Sequence, residues 1–199
     1  TINGDANVPF YKELGNVGID ATDIPVVAFS VGEEELAGLD TGPLVGHLAA
    51  WNYFMSSDSE ENDNFISAWH KFTGDEDRVT NDPMEATVIG FNMWAKAVEI
   101  SGTTDVNTVR PTMYGLTVPN LTGGIAVMNT NHHLTKPVLI GEILEDGQFE
   151  IVYETPAGVI GDAWTNFLAE SANIVADWTP PISCGNYNIK TGKCSGQNY

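Results

Sequence analysis

The stretch Pro25-Val-Val-Ala-Phe-Ser30, continued by Val31-Gly-Glu-Glu-Glu-Leu36 and then by Leu44-Val-Gly-His-Leu-Ala-Ala50, decides the fold class. Pro25–Ser30 and Leu44–Ala50 are short apolar runs bounded by turn formers, the pattern of strands buried on both faces. Between them, Glu33–Leu36 predicts a helical turn. Strand, helix and strand in that order is βαβ grammar, which predicts an α/β fold with a parallel sheet, because parallel neighbours need a crossover connection.

Upstream, Thr1-Ile2 reads as the end of a strand and Asn3-Gly-Asp-Ala-Asn7 as the turn that starts a helix. Val8, Phe10, Tyr11, Leu14 and Val17 recur at helical spacing before Gly18, which predicts a helix over 7–17. Downstream, Ser57-Asp-Ser-Glu60 has the form of a capping box ahead of a helix carrying Phe65, Ile66, Trp69 and Phe72 and stopping at Gly74. After a polar connector, Asp82-Pro-Met-Glu85 supplies an N-cap, a proline and an acid for a helix over 83–101. Its apolar positions Val88, Ile89, Phe91, Trp94, Ala95 and Val98 form a broad face that ends at Gly102. A further helix is expected over 105–114, bent at Pro111, and a strand over 123–128. Pro137–Leu144 and Gln148–Tyr153 flank Glu145-Asp-Gly147 as an antiparallel hairpin, with a short helix over 162–173 and an irregular tail from Thr179. The changes of grammar near 55–80 and 130–137 divide the chain into pieces that suit two lobes joined by crossing segments.

With 27 acidic and 8 basic residues the formal charge is −19, and no Lys/Arg cluster interrupts it. Such a surface repels phosphate backbones and anionic headgroups, so no nucleic acid is expected as a partner. No apolar run reaches the roughly 18 residues of a membrane span. The opening Thr-Ile-Asn-Gly lacks both an initiator Met and a basic leader, so any targeting segment is expected to have been removed already. Cys184 and Cys194 are the only cysteines, and a disulfide closing their short loop is the favoured reading, which places the protein outside the cytoplasm.

Several separate segments share a family likeness. They are Asp82-Pro-Met-Glu-Ala-Thr, Gly90-Phe-Asn-Met-Trp-Ala-Lys-Ala-Val, Ser101-Gly-Thr-Thr-Asp-Val, Asn129-Thr-Asn-His-His-Leu and Lys136-Pro-Val-Leu-Ile-Gly-Glu-Ile, together with Pro25–Leu36. In order and spacing this set resembles the urea and short-chain amide receptors of bacterial ABC importers, within the type I periplasmic binding proteins that include branched-chain amino-acid receptors. The resemblance implies two Rossmann-like lobes with ligand in the cleft between them, and it matches this chain to the carboxy-terminal half. Residues 1–60 would belong to the second lobe, 61–79 to a helix and crossing, and 80–133 to the first lobe. Residues 134–155 would form the return crossing and second lobe, and 156–199 a helix and disulfide-closed tail. Its implied partners are a small neutral amide, an ABC permease and the amino-terminal half of the same receptor. The implied location is periplasmic or extracellular, with membrane tethering through an amino-terminal segment, and no cofactor, metal or catalysis is expected.

Urea or a short amide is small and planar, so its site needs fixed acceptors, a donor or two and a flat apolar wall. Two turns lie at the carboxyl ends of strands, where open α/β sheets place their crevices: Asn3-Gly4-Asp5 and Ser30-Val31-Gly32-Glu33. The resemblance points to the same turns. Trp51 and Tyr53 are candidates for the wall. Each has a plainer reading: Asp5 as a helix N-cap, Ser30 and Glu33 as caps of the short helix, and the two aromatics as core or hinge packing.

Other constellations carry less. Ala28-Phe-Ser30-Val-Gly32 imitates a nucleophile elbow with His132 and His133 downstream, but Glu33, Glu34 and Glu35 would oppose a developing oxyanion. Adjacent histidines on an extended segment point to opposite faces, which disfavours a metal site. Asp75, Glu76, Asp77 and Asp82 lack calcium-loop spacing, and Asn120-Leu-Thr122 matches a glycosylation acceptor. An amide-sensing regulator and a structural module of the same fold are the other readings.

Overall fold

The computed structural model describes residues 2–161, 187–188 and 193–194. Residues up to Gly161 belong to one compact unit, which holds two sheets, each with its own core. The first sheet grows from the segment that decides the fold. β1 (Val27–Ala28) leads into α2 (Glu33–Leu36) and then β2 (Leu48–Trp51), and β1 and β2 pair in parallel with Val27 opposite Leu48, as the βαβ grammar requires. The preceding helix, α1 (Asn7–Asn16), starts from a 3-10 turn at Gly4–Ala6. β2 is shorter than the apolar run suggests. Pro43 has no amide to give a ladder and sits in a 3-10 turn over Gly42–Leu44, while Gly46 adopts φ +88°, so extended backbone begins only after it.

The remaining strands of this sheet are antiparallel. β6 (Leu139–Ile143) lies against β2 with Trp51 opposite Leu139, and β7 (Phe149–Glu154) lies against β6, giving the order β1-β2-β6-β7. The turn joining β6 to β7 is too short for a crossover, and Gly147 takes φ +79° there as the sequence requires. Tyr11, Leu36, Ala49, Phe54, Ile143 and Phe149 fill the core of this four-stranded lobe. His47 is fully buried beside it and ties β1 to β2, its Nδ1 accepting from the Val26 amide at 3.1 Å.

The chain leaves the first sheet after Trp51 and enters α3 (Glu60–Thr73), α4 (Asp82–Ser101) and α5 (Val106–Met113). A second sheet follows, with β3 (Thr117–Pro119), β4 (Ile125–Met128) and β5 (Leu134–Thr135) in antiparallel order. Ile89 and Met93 of α4 pack on Val118 and Ala126 to form the core of this three-stranded lobe. Gly74 and Gly102 end α3 and α4 in the left-handed conformation, at φ +70° and +67°.

Both helix starts depart from the sequence expectation by one or two residues. The α3 cap is Ser59, whose Oγ accepts from the Asn62 amide at 3.1 Å, and Ser57 does not cap it. Asn81 caps α4 by accepting from the Met84 amide at 3.0 Å, because the Asp82 carboxylate is drawn away to another partner. α4 also buries a narrower face than its composition suggests. Ile89, Met93 and Ala97 are buried, whereas Phe91 and Trp94 are 62% and 41% exposed.

The expected helix over 162–173 lies outside the described residues, as does Cys184 and hence its pairing with Cys194. In the tail, β8 (Tyr187–Asn188) and β9 (Lys193–Cys194) pair antiparallel, with Tyr187 opposite Cys194.

Packing is tight at Gly141 in β6, where a Cβ would lie 2.8 and 2.9 Å from the Phe54 ring and 3.0 Å from the Phe149 Cβ. The neighbours are core aromatics with nowhere to move. Gly141→Ala is expected to destabilise the fold by about 1–3 kcal/mol, read as a lower denaturant midpoint at unchanged slope.

Candidate functional site

Three segments converge at the carboxyl ends of β1 and β2. The turn at Asn3–Asn7 sits beside the turn at Ser30–Glu33, because the buried Asn7 side chain donates to the carbonyls of Gly4 (3.2 Å) and Ser30 (3.3 Å). The Ser30 hydroxyl returns the contact by donating to the Ile2 carbonyl. Trp51, at the end of β2, closes the group by donating from Nε1 to the Val31 carbonyl at 2.6 Å.

The candidate residues occupy this region in different ways. Asn3 and Asp5 are exposed, and neither side chain makes a hydrogen bond with the described residues. Asp5 is not the N-cap of α1, whose cap position is Ala6 and carries no side-chain bond. Glu33 is 1% exposed and does not cap α2. That service comes from Glu35, which accepts from the Gly32 amide at 2.8 Å. Glu33 instead accepts from the Met55 amide through Oε1 at 2.5 Å, and its Oε2 is buried without a partner. Tyr53 is fully buried and presents no face to solvent. Its hydroxyl donates to Asn62 Oδ1 at 2.7 Å and meets Thr80 Oγ1 at 2.6 Å.

Below these turns lies a polar network that sequence periodicity does not announce. The segment after Trp51 is the first crossing between lobes, and Lys136–Val138, between β5 and β6, is the second. Asp82 accepts from the Asn52 amide at 2.9 Å, and the Asn52 side chain donates to the Pro137 carbonyl at 2.6 Å, so the two crossings are bonded to each other. Asn62 in α3 holds the first crossing further along, donating to the carbonyls of Met55 (2.9 Å) and Ser57 (2.7 Å). Lys136, 6% exposed, pairs with Glu85, which is fully buried. One signal was available for this pair: a charged residue on the helix face that also carries Ile89 and Met93 must be buried, and a buried charge needs a partner.

Burial dominates the electrostatics. It pushes the Glu33 carboxyl up to about 7, although the Met55 amide pulls the other way. Asp82 and Glu85 are also raised by burial, with Lys136 opposing in both cases, and the Tyr53 phenol is raised for the same reason. Asp82 and Glu85 thus share the Lys136 ammonium, whereas Glu33 is opposed by Glu35 and Asp82 and faces no cation.

The competing constellations do not assemble. Ser30 is committed to a backbone acceptor, His132 meets the Tyr114 hydroxyl at 2.7 Å, and His133 contacts the Asn131 carbonyl at 3.1 Å. No group of three metal-ligating side chains occurs among the described residues. Asn120 is fully buried, its Oδ1 accepting from the amides of Thr122 (3.0 Å) and Gly124 (2.8 Å), so this fold withholds it from glycosylation.

Comparison with known proteins agrees with this architecture. Residues 1–170 match the family described as periplasmic binding protein domain. The limonene hydroxylase of Geobacillus stearothermophilus is 33% identical over 134 residues, 67% of this chain and 24% of that protein. An amino acid ABC transporter substrate-binding protein of Pseudomonas fluorescens Pf-5 superposes with a TM-score of 0.67 at 20% identity, over 81% of this chain and 44% of that one. A Rhodopseudomonas palustris HaA2 solute-binding protein in complex with p-hydroxybenzoic acid gives 0.68 at 22% identity, over 79% and 44%. The chain therefore spans less than half the length of the proteins it matches.

Removing the cation should expose how the network is held. Lys136→Met leaves Glu85 buried and unpaired and is expected to lower stability by about 3–5 kcal/mol. The double variant with Glu85→Gln should recover at least half of that loss, as measured by chemical denaturation.

Proposed function

This chain belongs to the periplasmic binding protein family, with the type I fold, and from that premise we propose that it forms the carboxy-terminal part of an extracytoplasmic receptor for an ABC importer, with urea or a short-chain amide as ligand. The observation that carries the reading is the convergence of the 2–7, 30–33 and 51–55 segments at the ends of β1 and β2. The first two carry the acceptor side chains Asn3, Asp5 and Ser30, and none of the three contains Lys or Arg. A ligand anchored from this side presents N–H groups, as urea and primary amides do. A carboxylate would meet only like charge. Asn3, Asp5 and Ser30 supply acceptors, with the half-buried Trp51 as the flat wall.

In this proposal the other part of the site belongs to the amino-terminal half of the receptor. The apolar side chains left bare here support that division. Phe72 of α3 is 83% exposed, and Phe91 and Ile100 of α4 are 62% and 60% exposed, an arrangement that asks for a covering surface. Ligand capture would proceed by closing the lobes about the crossings, and the permease would read the closed form.

The test is calorimetric titration of the assembled receptor, this chain together with an amino-terminal half, with urea, acetamide and leucine. Saturable heat with urea or acetamide and none with leucine is expected. Asp5→Ala, which removes an exposed group with no internal bond, should weaken amide binding about tenfold, the effect of losing roughly 1.4 kcal/mol, and leave the unfolding midpoint in place. An assembled pair that gives no heat with any amide would overturn the amide reading.

A further inference from the structure

The first crossing is gripped from both lobes at once. From the four-stranded lobe, Glu33 of α2 accepts from the Met55 amide at 2.5 Å. From the three-stranded lobe, Asp82 in the first turn of α4 accepts from the Asn52 amide at 2.9 Å. Two carboxylates on opposite lobes, Glu33 buried and Asp82 half-buried, therefore hold amides three residues apart on one strip of backbone. The lobes come close here, with room at Gly32 for a Cβ 4.0 Å from the Cβ of Asn81.

We infer that the first crossing is a proton-sensitive hinge, in which Glu33 and Asp82 are positioning residues that lock the backbone as carboxylates and release it on protonation. A charged acceptor makes a hydrogen bond about twice as strong as a neutral one, so each grip weakens when its carboxylate takes a proton. The surroundings favour that uptake. Glu33 faces Glu35 on its own helix, Asp82 across the lobes and Tyr53 on the crossing, with no cation among them. Asp82 faces Lys136 on the second crossing and Glu85 on its own helix. Glu33 releases first as pH falls, because its carboxyl lies near 7 and has no cation to hold it charged.

The sign distinguishes this hinge from ordinary destabilisation. A carboxyl raised from 4.5 to about 7 binds its proton more tightly in the folded chain, so its contribution to global stability grows as pH falls toward 4.5 and is lost as pH rises through 7. Local hold on the crossing changes the opposite way. Acidification should loosen Met55 while strengthening the fold, and a merely structural role for Glu33 would move both together.

Amide exchange followed by NMR on the 199-residue chain, with no ligand present, tests this independently of the receptor reading. Between pH 8 and 6, protection at Met55, corrected for intrinsic exchange, is expected to fall about tenfold. The unfolding midpoint, taken relative to Glu33→Gln, should rise over the same interval. Glu33→Gln keeps an acceptor oxygen but cannot titrate, so its Met55 protection should be flat with pH, and Asp82→Asn should flatten any response at Asn52 alone. Met55 protection that does not change with pH in the wild type, or that changes equally in Glu33→Gln, would overturn the inference. If Glu33→Gln does not fold, the wild-type profile at Met55 decides the matter.

Discussion

The pairing of Lys136 with Glu85 is the constraint on which the arrangement of the two lobes depends. Lys136 stands where the chain quits the second sheet for the first, and Glu85 belongs to the first turns of α4. Both charges are withdrawn from water, so neither tolerates separation from the other. With this anchor in place, Asp82 is presented to the first crossing and Asn52 reaches the second, and the candidate binding turns above them inherit a fixed platform. In a chain with a formal charge of −19, one of the few ammonium groups is spent at the point where the lobes meet.

Much of the fold was legible because it rests on local physics. Gly74, Gly102 and Gly147 sit at positive φ where the sequence placed helix ends and a hairpin turn, and the parallel pairing of β1 with β2 follows from the connection between them. The misread boundaries share one cause. Ser57 and Asp82 had the right chemistry for caps, but their neighbours Ser59 and Asn81 took those posts, leaving the Asp82 carboxylate for the crossing. Capping preference is a contest between adjacent residues, and tertiary contacts decide it. β3 went unread because three residues ending in Pro119 carry no periodicity.

The candidate site was legible in part. The Asn3–Asp5 and Ser30–Glu33 turns do lie together, brought there by Asn7, a residue with no special signal in the sequence. Tyr53 and Glu33 turned out to face inward. An aromatic or a carboxylate at a strand end reads the same whether it lines a cleft or braces a hinge, and only the partners of its polar atoms tell the two apart.

The pairing of β2 with β6 joins residues about 90 positions apart, and loop closure of that length delays a sheet relative to its local neighbours. The three-stranded lobe, built from consecutive helices and short hairpins, can organise early. The four-stranded sheet must wait until β6 and β7 have been synthesised, since its central pair does not exist before then. The lobe inserted between β2 and β6 thus sets the distance in sequence across which the central pair of the first sheet must close.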